Sequence, residues 1–127
     1  MKKLIIIFCF CSFFQFSFAQ KSSSGMCKVD VEDVTNVASF GYLIGYTVKF
    51  KNNSKSTVDG IWWTSYYYDN SGDLMKYESD SFNSSGLIKP IPSGSNKSIV
   101  RSPRVKGASK VVVKITKTHF SDGKTCK

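Results

Sequence analysis

Large apolar residues recur at every second position from Ile44 to Phe50, and polar or small residues fill the gaps. A period of two predicts a strand with one buried face. The strand runs from Tyr42 to Lys51, and its predicted core residues are Ile44, Tyr46, Val48 and Phe50. The triplet Asn52-Asn53-Ser54 ends it, because such side chains bond their own backbone and tolerate turns. The aromatic run from Gly60 to Tyr68 predicts the next strand, closed by a turn at Asp69 to Gly72.

Shorter segments with strand character lie on both sides of this pair. Further strands are predicted at Cys27 to Glu32, Asp73 to Ser79, Leu87 to Lys89, Lys97 to Arg101 and Ser109 to Phe120, with Asp33 to Ser39 as a connection. Prolines at positions 90, 92 and 103 separate the later strands, because proline lacks the amide that a central ladder needs. About seven short strands predict an all-β fold, an immunoglobulin-like two-sheet β-sandwich.

The N-terminus has the pattern of an export signal. Lys2 and Lys3 precede an apolar run from Leu4 to Phe14, and Ser17 to Ala19 provide small residues for cleavage. The run has 11 residues, whereas a membrane-spanning helix needs about 20. We therefore predict a signal peptide at 1–19, a flexible leader at 20–26 and a β-sandwich domain at 27–127, secreted or periplasmic and with no stable membrane span.

Two alternatives for the N-terminus are disfavoured but stay open. One is a retained membrane anchor, which the short apolar run argues against. The other is a lipid on Cys9 or Cys11, which would require cleavage inside the apolar run. Bacterial lipoprotein signals place a small residue before that cysteine, and here Phe8 and Phe10 occupy those positions.

Two cysteines remain in the predicted mature chain, Cys27 near its start and Cys126 near its end. In an oxidising compartment two such cysteines most often pair. The predicted disulfide would tie both termini together. It requires the chain to turn back after Asp122 and Gly123, because the first and last strands of an immunoglobulin-like sandwich usually run parallel.

The aromatic strand and its flanks resemble a known family. The chain has an Asn-Asn-Ser turn, a strand ending in Tyr68-Asp69 with Gly72 soon after, and a proline- and glycine-containing loop at Pro90 to Gly94. Together they resemble the FxLYD-type immunoglobulin-like domains of bacterial exported proteins, over about Tyr42 to Asp122. Tyr68 and Asp69 match the motif, whereas Ser65 and Tyr67 stand at its Phe and Leu positions. The resemblance implies a β-sandwich accessory or binding module without catalytic residues.

Charge is concentrated in the C-terminal third. Removing Lys2 and Lys3 lowers the formal charge from +9 to +7, and from Ile88 onward Asp122 is the one acidic residue. A basic surface favours anionic partners, although surface lysines often serve solubility alone. Nucleic acid is disfavoured, because the sequence has no recognition helix, aromatic RNA-binding motif or zinc-finger spacing.

The aromatic strand carries large rings on both faces, and one sandwich core can take only one face. The other face must be covered by a loop, line an oligomer contact or face solvent, and the favoured expectation is that the segment from Ser79 to Pro92 folds over it. If the face stays open, it is expected to bind a partner. Exposed rings stack on sugars and proteins. The candidate partners are therefore a glycan, a cell-envelope protein or another anionic molecule. The candidate binding residues are Trp62, Trp63, Tyr66, Tyr67 and Tyr68, with Lys110 and Lys114 from the basic last strand.

Candidates for catalysis or metal binding are weak. His119 is the one histidine and has no nucleophile motif beside it. The oxygens from Asp69 to Asp73 suit a hairpin turn better than a calcium loop, and the carboxylates of Glu78 and Asp80 resemble a glycosidase pair only in type. We expect a non-catalytic binding or structural module without cofactor or metal. A small secreted hydrolase or metal-dependent enzyme, or an inhibitor of another exported protein, is the alternative.

Overall fold

The computed structural model describes residues 26–127, so the predicted signal peptide and nearly all of the predicted leader lie outside the described part. The described chain is all-β and forms two antiparallel sheets. Its strands are β1 (Val29–Ser39), β2 (Tyr42–Asn52), β3 (Val58–Tyr68), β4 (Leu74–Asn83), β5 (Asn96–Arg101), β6 (Val105–Lys106), β7 (Lys110–Phe120) and β8 (Thr125–Cys126). Within residues 26–127, no helix is long and apolar enough to cross a membrane.

The first sheet has the order β1-β2-β5, with β6 also paired to β2, and the second has the order β4-β3-β7-β8. These two sheets confirm the predicted β-sandwich. In the constant-type immunoglobulin order the fourth strand belongs to the first sheet. Here β4 pairs with β3 in the second sheet instead. As a result β4 and β5 are free edges, one in each sheet.

The core lies between β2 and β5 of the first sheet and β3 and β7 of the second. The predicted alternation of β7 is confirmed, because Val111, Val113 and Ile115 are buried while Lys110 and Lys114 are exposed. In β2, three of the four predicted core residues are buried, namely Tyr46, Val48 and Phe50. Apolar side chains from both sheets thus exclude water from one shared interior.

The fourth predicted core residue of β2, Ile44, is only half-buried, and Leu43 is buried in its place. The register between β1 and β2 shifts at this point, where Val37 pairs with Gly45 and Ala38 with Leu43. Because a bulge inserts an extra residue, side chains before and after it that alternate regularly point to opposite faces from those the period predicts. The period of two therefore holds only from Tyr46 onward.

The prediction that Asp33 to Ser39 is a connection was wrong, because β1 continues to Ser39. A second register shift, between Val31 and Asp33, interrupts the alternation there. The predicted strand from Leu87 to Lys89 was also wrong. Ser85 and Ile88 form an isolated bridge instead.

The structure adds two short strands that the sequence pattern did not indicate, β6 and β8. Both have two residues and no apolar period. The chain leaves β5 at Arg101, passes Pro103, and at Arg104 takes a left-handed backbone (φ 53°) before it rejoins β2 as β6. After Asp122 and Gly123 the chain turns back, so that β8 pairs with Thr118 and His119 of β7.

The predicted disulfide between Cys27 and Cys126 is present, with a Cα–Cα distance of 6.4 Å. The return of the chain into β8 places Cys126 beside the start of β1, as the predicted pairing requires. Cys27 and Lys28 both adopt left-handed backbone conformations, which turn the chain from the disulfide into β1. The bond thereby joins the first strand of one sheet to the last strand of the other.

The polar turn after β2 is organised by Asn52, whose side chain is fully buried. Its Nδ2 donates to the carbonyl oxygens of Ser56 at 2.8 Å and Ile91 at 3.0 Å. Its Oδ1 accepts from the backbone amide of Ser54 at 3.0 Å. The Asn52 side chain thus bonds the backbone of this turn, as the sequence predicts. Its bond to Ile91 also ties the turn to the segment after β4.

Replacing Asn52 with alanine is expected to lower the free energy of unfolding by about 2–3 kcal/mol, because it leaves buried backbone groups unpaired. The matched control is Asn53→Ala, since the Asn53 side chain is exposed and donates to the Asp30 carboxylate. The control is expected to cost about 0.5 kcal/mol or less. Urea unfolding of both variants measures the difference, and equal losses would contradict the assigned role of Asn52.

Candidate functional site

Strand β3 divides its aromatic residues between the core and the outer face of the second sheet. Trp63 and Tyr67 are buried in the core. Trp62, Tyr66 and Tyr68 point to the outer face and keep part of their surface exposed. Strand alternation explains this division. Trp63 and Tyr67 are therefore removed from the candidate binding residues, since their rings are packed inside the sandwich.

The predicted basic residues of β7 lie on the same outer face as the three accessible rings. Lys110 pairs across the ladder with Tyr68, and Lys114 pairs with Thr64 next to Tyr66. The Lys114 Nζ lies 5.6 Å from the centre of the Tyr66 ring. The aromatic and the basic features, predicted separately along the chain, meet on one surface.

Two further residues belong to this surface. Lys117 pairs with Trp62, and its Nζ lies 4.1 Å from the centre of a Trp62 ring. Tyr77 of β4 pairs with Tyr66, and the two ring centres are 5.9 Å apart. We call the set the aromatic-lysine face: Trp62, Tyr66, Tyr68, Tyr77, Lys110, Lys114 and Lys117.

Lys117 and Tyr77 are not among the binding residues predicted from the sequence. Simple alternation from Lys110 and Lys114 assigns Lys117 to the buried face, but a register shift between Trp62 and Trp63 turns it outward. Tyr77 lies within the predicted strand from Asp73 to Ser79, but its pairing with Tyr66 depends on a register shift next to Tyr68 that the alternation does not indicate.

The Trp62 indole packs against Gly60, which has no side chain. A Cβ atom at position 60 would lie 2.8 Å from two carbon atoms of the Trp62 ring, closer than carbon atoms approach. The indole therefore lies along the sheet rather than standing away from it. Lys117 makes a cation–π contact with the same indole.

The prediction that Ser79 to Pro92 covers the outer rings was wrong. Its first residues, up to Asn83, belong to β4, which lies beside β3 in the same sheet. Ile91 then turns into the core, where it bridges to Val58. Lysine side chains cover the rings instead, and these are flexible and can move away from a ring face.

The charges of the aromatic-lysine face are available to an outside partner. Among residues 26–127, none of Lys110, Lys114 and Lys117 forms a salt bridge, whereas Lys49 on the other sheet pairs with Glu32 at 3.1 Å. The carboxylate of Asp59, at one end of the face, is bonded to His119. Unpaired ammonium groups beside aromatic rings can bind an anion while the rings bind an apolar surface.

A second polar site lies at the free edges of the two sheets. The Arg101 Nε donates to the Asp80 carboxylate at 2.8 Å, and its Nη2 donates to the carbonyl oxygen of Ser81 at 2.9 Å. The guanidinium also lies 5.4 Å from the centre of the Trp63 ring. Arg101 thus joins β5 to β4 across the open side of the sandwich. About one third of each charged side chain is exposed, so the pair contributes little to stability.

Beside this pair lies a cavity of about 160 Å³, lined in part by Tyr46, Ser65, Tyr67 and Glu78. The Tyr46 hydroxyl is 2.8 Å from Ser65 Oγ and accepts from the Trp63 indole at 3.2 Å. Burial raises the pKa of the Tyr67 phenol above its usual range. The cavity is large enough for a few water molecules, and two of its hydroxyl groups, those of Tyr46 and Ser65, are bonded to each other.

His119 lies on β7 at the end of the aromatic-lysine face. Its Nδ1 is hydrogen-bonded to Asp59 Oδ1. Within the described chain no serine, threonine or cysteine side chain hydrogen-bonds to the imidazole, so the His-Asp pair has no adjacent nucleophile there. A triad needs such a nucleophile in contact with the base.

The turn from Asp69 to Asp73 has the geometry of a hairpin turn. Asp69 Oδ1 accepts from the backbone amides of Ser71 at 2.9 Å and Asp73 at 3.0 Å. These bonds occupy one of the two oxygens of the carboxylate that a calcium ion would need. Over residues 26–127, no group of three or more His, Cys, Asp or Glu side chains is placed to hold a metal ion.

Comparison with known proteins supports the fold and does not extend to function. No family model and no curated protein matches the chain. Among solved structures, the chain is similar to the crystal structure of a DUF1425 family member from Shewanella sp. pv-4, with a TM-score of 0.52 and 18% identity. The similarity covers 75% of this chain and 91% of that one. At this identity, the likeness shows a shared β-sandwich fold alone.

Proposed function

We propose that this protein is a non-catalytic binding module of the cell envelope that holds an acidic polysaccharide on its aromatic-lysine face. The observation that carries the proposal is the alternation of accessible rings and unpaired lysines across β3 and β7, such as Trp62 beside Lys117. Rings pack against the apolar faces of sugar rings, and ammonium groups attract carboxylates. A polyuronate offers both groups in a regular repeat.

The lysines suit such a ligand because they can exchange partners. In the free protein the Lys117 and Lys114 ammonium groups lie over Trp62 and Tyr66. A cation–π contact at an exposed site contributes only about 0.5–1 kcal/mol. A sugar carboxylate can therefore draw the ammonium aside and leave the ring face free for the sugar.

Export to the envelope is part of the proposal. The N-terminal signal pattern favours it, and the Cys27–Cys126 disulfide is compatible with an oxidising compartment. We also propose a relation to the FxLYD-type domains, supported by the Tyr68-Asp69 pair at the end of β3. A small secreted enzyme is less favoured, because the His119–Asp59 pair has no adjacent nucleophile in the described chain.

Isothermal titration calorimetry tests the proposal by measuring the affinity of the protein for polygalacturonate and for neutral dextran. We expect binding to polygalacturonate that weakens as salt rises, because exposed charges are screened. Lys117→Gln is expected to weaken binding by about tenfold, the effect of losing one charged hydrogen bond, and Trp62→Ala by a similar factor.

The matched control is Lys49→Gln, which removes a lysine from the other sheet and leaves the aromatic-lysine face intact. Its affinity for polygalacturonate is expected to equal that of the unmodified protein. Equal losses in Lys49→Gln and Lys117→Gln would show a general charge effect and contradict the assigned face. Equal binding to dextran would contradict the role of the lysines.

A further inference from the structure

Phe40 occupies an unusual place at the tip of the β1–β2 hairpin. Ser39 pairs with Tyr42, so Phe40 and Gly41 form a two-residue turn. Their φ angles are 50° and 80°, and positive φ at both positions defines a type I′ turn. The Phe40 side chain is 99% exposed. The largest residue of the turn thus contacts almost nothing in the protein.

Neither local conformation nor packing accounts for phenylalanine at this position. Type I′ turns prefer Asn-Gly, because asparagine adopts the left-handed region more easily than a bulky residue. A fully exposed ring also contributes no burial within the chain. Backbone strain combined with an exposed aromatic ring points to a partner outside the molecule.

Other exposed apolar residues surround this tip. The Gly107 amide donates to the Gly41 carbonyl oxygen at 2.7 Å, which joins the loop before β7 to the hairpin. The Met75 Cε lies 3.2 Å from the position that a Cβ atom would occupy at Gly107. The start of β4 is therefore also at this end of the sandwich. We call the group the tip patch; its members are Phe40, Tyr42 and Met75, all exposed.

Basic side chains lie next to the tip patch. Lys106 pairs directly with Tyr42, and Arg104 is exposed two residues earlier. The acidic residues at this end are Asp69 and Asp73 in the β3–β4 turn, and the Asp69 carboxylate is bonded to its own loop. Arg104 and Lys106 are therefore the charged residues that lie beside the start of β2, next to the apolar projection.

We propose that the tip patch inserts into the surface of a bilayer that contains anionic lipids, with Arg104 and Lys106 at the level of the headgroups. A projecting ring with apolar neighbours and flanking cations fits a lipid interface. Affinity for such an interface rises with the apolar area buried in it and with the attraction of cations to anionic headgroups. A stable protein interface needs about 1,000 Å² of complementary surface, whereas a hairpin tip is convex and narrow.

This inference is independent of the proposed polysaccharide function. The tip patch lies at the end of the strands, whereas the aromatic-lysine face lies along β3 and β7. Docking through the tip leaves that face open to a second ligand. Each site can be removed without changing residues of the other.

Co-sedimentation with lipid vesicles tests the inference. Binding is compared between vesicles of phosphatidylcholine alone and anionic vesicles of phosphatidylcholine with phosphatidylglycerol. The protein is purified after export from the expressing cells, and mass spectrometry establishes that all variants share one N-terminus. We expect binding to the anionic vesicles. Phe40→Asn is expected to lower the partition coefficient by about tenfold or more, as expected for the loss of one buried aromatic side chain.

Phe40→Asn creates the favoured Asn-Gly turn, so its thermal midpoint is expected to be equal or higher. This separates lost docking from lost folding. The matched control is Leu87→Asn, since Leu87 is also 99% exposed but lies beyond the far end of β4. Its partition coefficient is expected to be unchanged. Arg104→Gln combined with Lys106→Gln is expected to remove the preference for anionic vesicles.

Three results would overturn the inference. The first is no binding of the unmodified protein to either vesicle. The second is an equal loss of binding in Phe40→Asn and Leu87→Asn. The third is a dimer in size-exclusion chromatography that Phe40→Asn dissociates, because the tip patch would then be covered by a second copy of the chain.

Discussion

Replacing Cys27 and Cys126 with serine is expected to lower the free energy of unfolding by about 4–5 kcal/mol, the chain-entropy estimate for a loop of this size. The two residues are 99 positions apart, so the bond restricts nearly the whole described chain in the unfolded state. Domains of this size have a total stability of about 5–15 kcal/mol. The serine variant is therefore expected to lie close to the limit of stable folding.

Urea unfolding of the oxidised protein and the double serine variant measures this loss. The oxidised protein treated with a reductant is a second comparison, and it is expected to match the serine variant. Cys27→Ser alone is the control for the number of substitutions, since it also breaks the bond and is expected to lose the same amount. A loss of less than about 1 kcal/mol would contradict the entropic estimate.

The disulfide also has a local role at β8. This strand has only two residues, Thr125 and Cys126, which pair with His119 and Thr118 of β7. Strands this short are marginal without further contacts. Because the bond anchors Cys126 to the start of β1, we expect the β8 amides to exchange faster with solvent in the serine variant than in the oxidised protein.

Periodicity predicted the long strands well and failed where a bulge interrupts it. β2, β3 and β7 were located within about two residues, in line with the usual precision of strand boundaries. The second half of β1 was missed because the register shift between Val31 and Asp33 breaks the alternation. A bulge depends on the partner strand, and one sequence does not reveal the register of that pair.

The candidate site was partly predictable for the same reason. Alternation placed Trp62 and Trp63 on opposite faces, but both faces carry rings, so the pattern did not select the inner one. The selection depends on contacts far along the chain: the Trp63 indole donates to the Tyr46 hydroxyl and packs 5.1 Å from the Phe50 ring centre. Such partners are known only once the two sheets are placed together.

The combination of aromatic and basic residues on one face also follows from pairing rather than from sequence order. Trp62 and Lys117 are far apart in the chain and become neighbours because β3 and β7 are adjacent antiparallel strands. The composition of each strand was evident beforehand. Their adjacency was not, because several strand orders are compatible with the same alternation.

Replacing Trp63 with alanine is expected to lower the free energy of unfolding by about 3–5 kcal/mol, the usual cost of deleting a large buried ring. The side chain has no exposed surface, and its removal leaves a cavity beside Phe50. It also removes the indole donor to the Tyr46 hydroxyl. Urea unfolding followed by far-UV circular dichroism measures the loss without relying on tryptophan fluorescence.

Trp62→Ala is the matched control, because it removes the same side chain from the adjacent position on the opposite face. Its ring lies on Gly60 under Lys117 and is partly exposed, so its loss is expected to cost about 1 kcal/mol. Ligand binding should show the reverse order, with Trp62→Ala weakening polygalacturonate binding and any folded Trp63→Ala protein retaining it. If Trp62→Ala destabilised the protein as much as Trp63→Ala, the outer ring would be a structural element and the aromatic-lysine face would lose its assigned role.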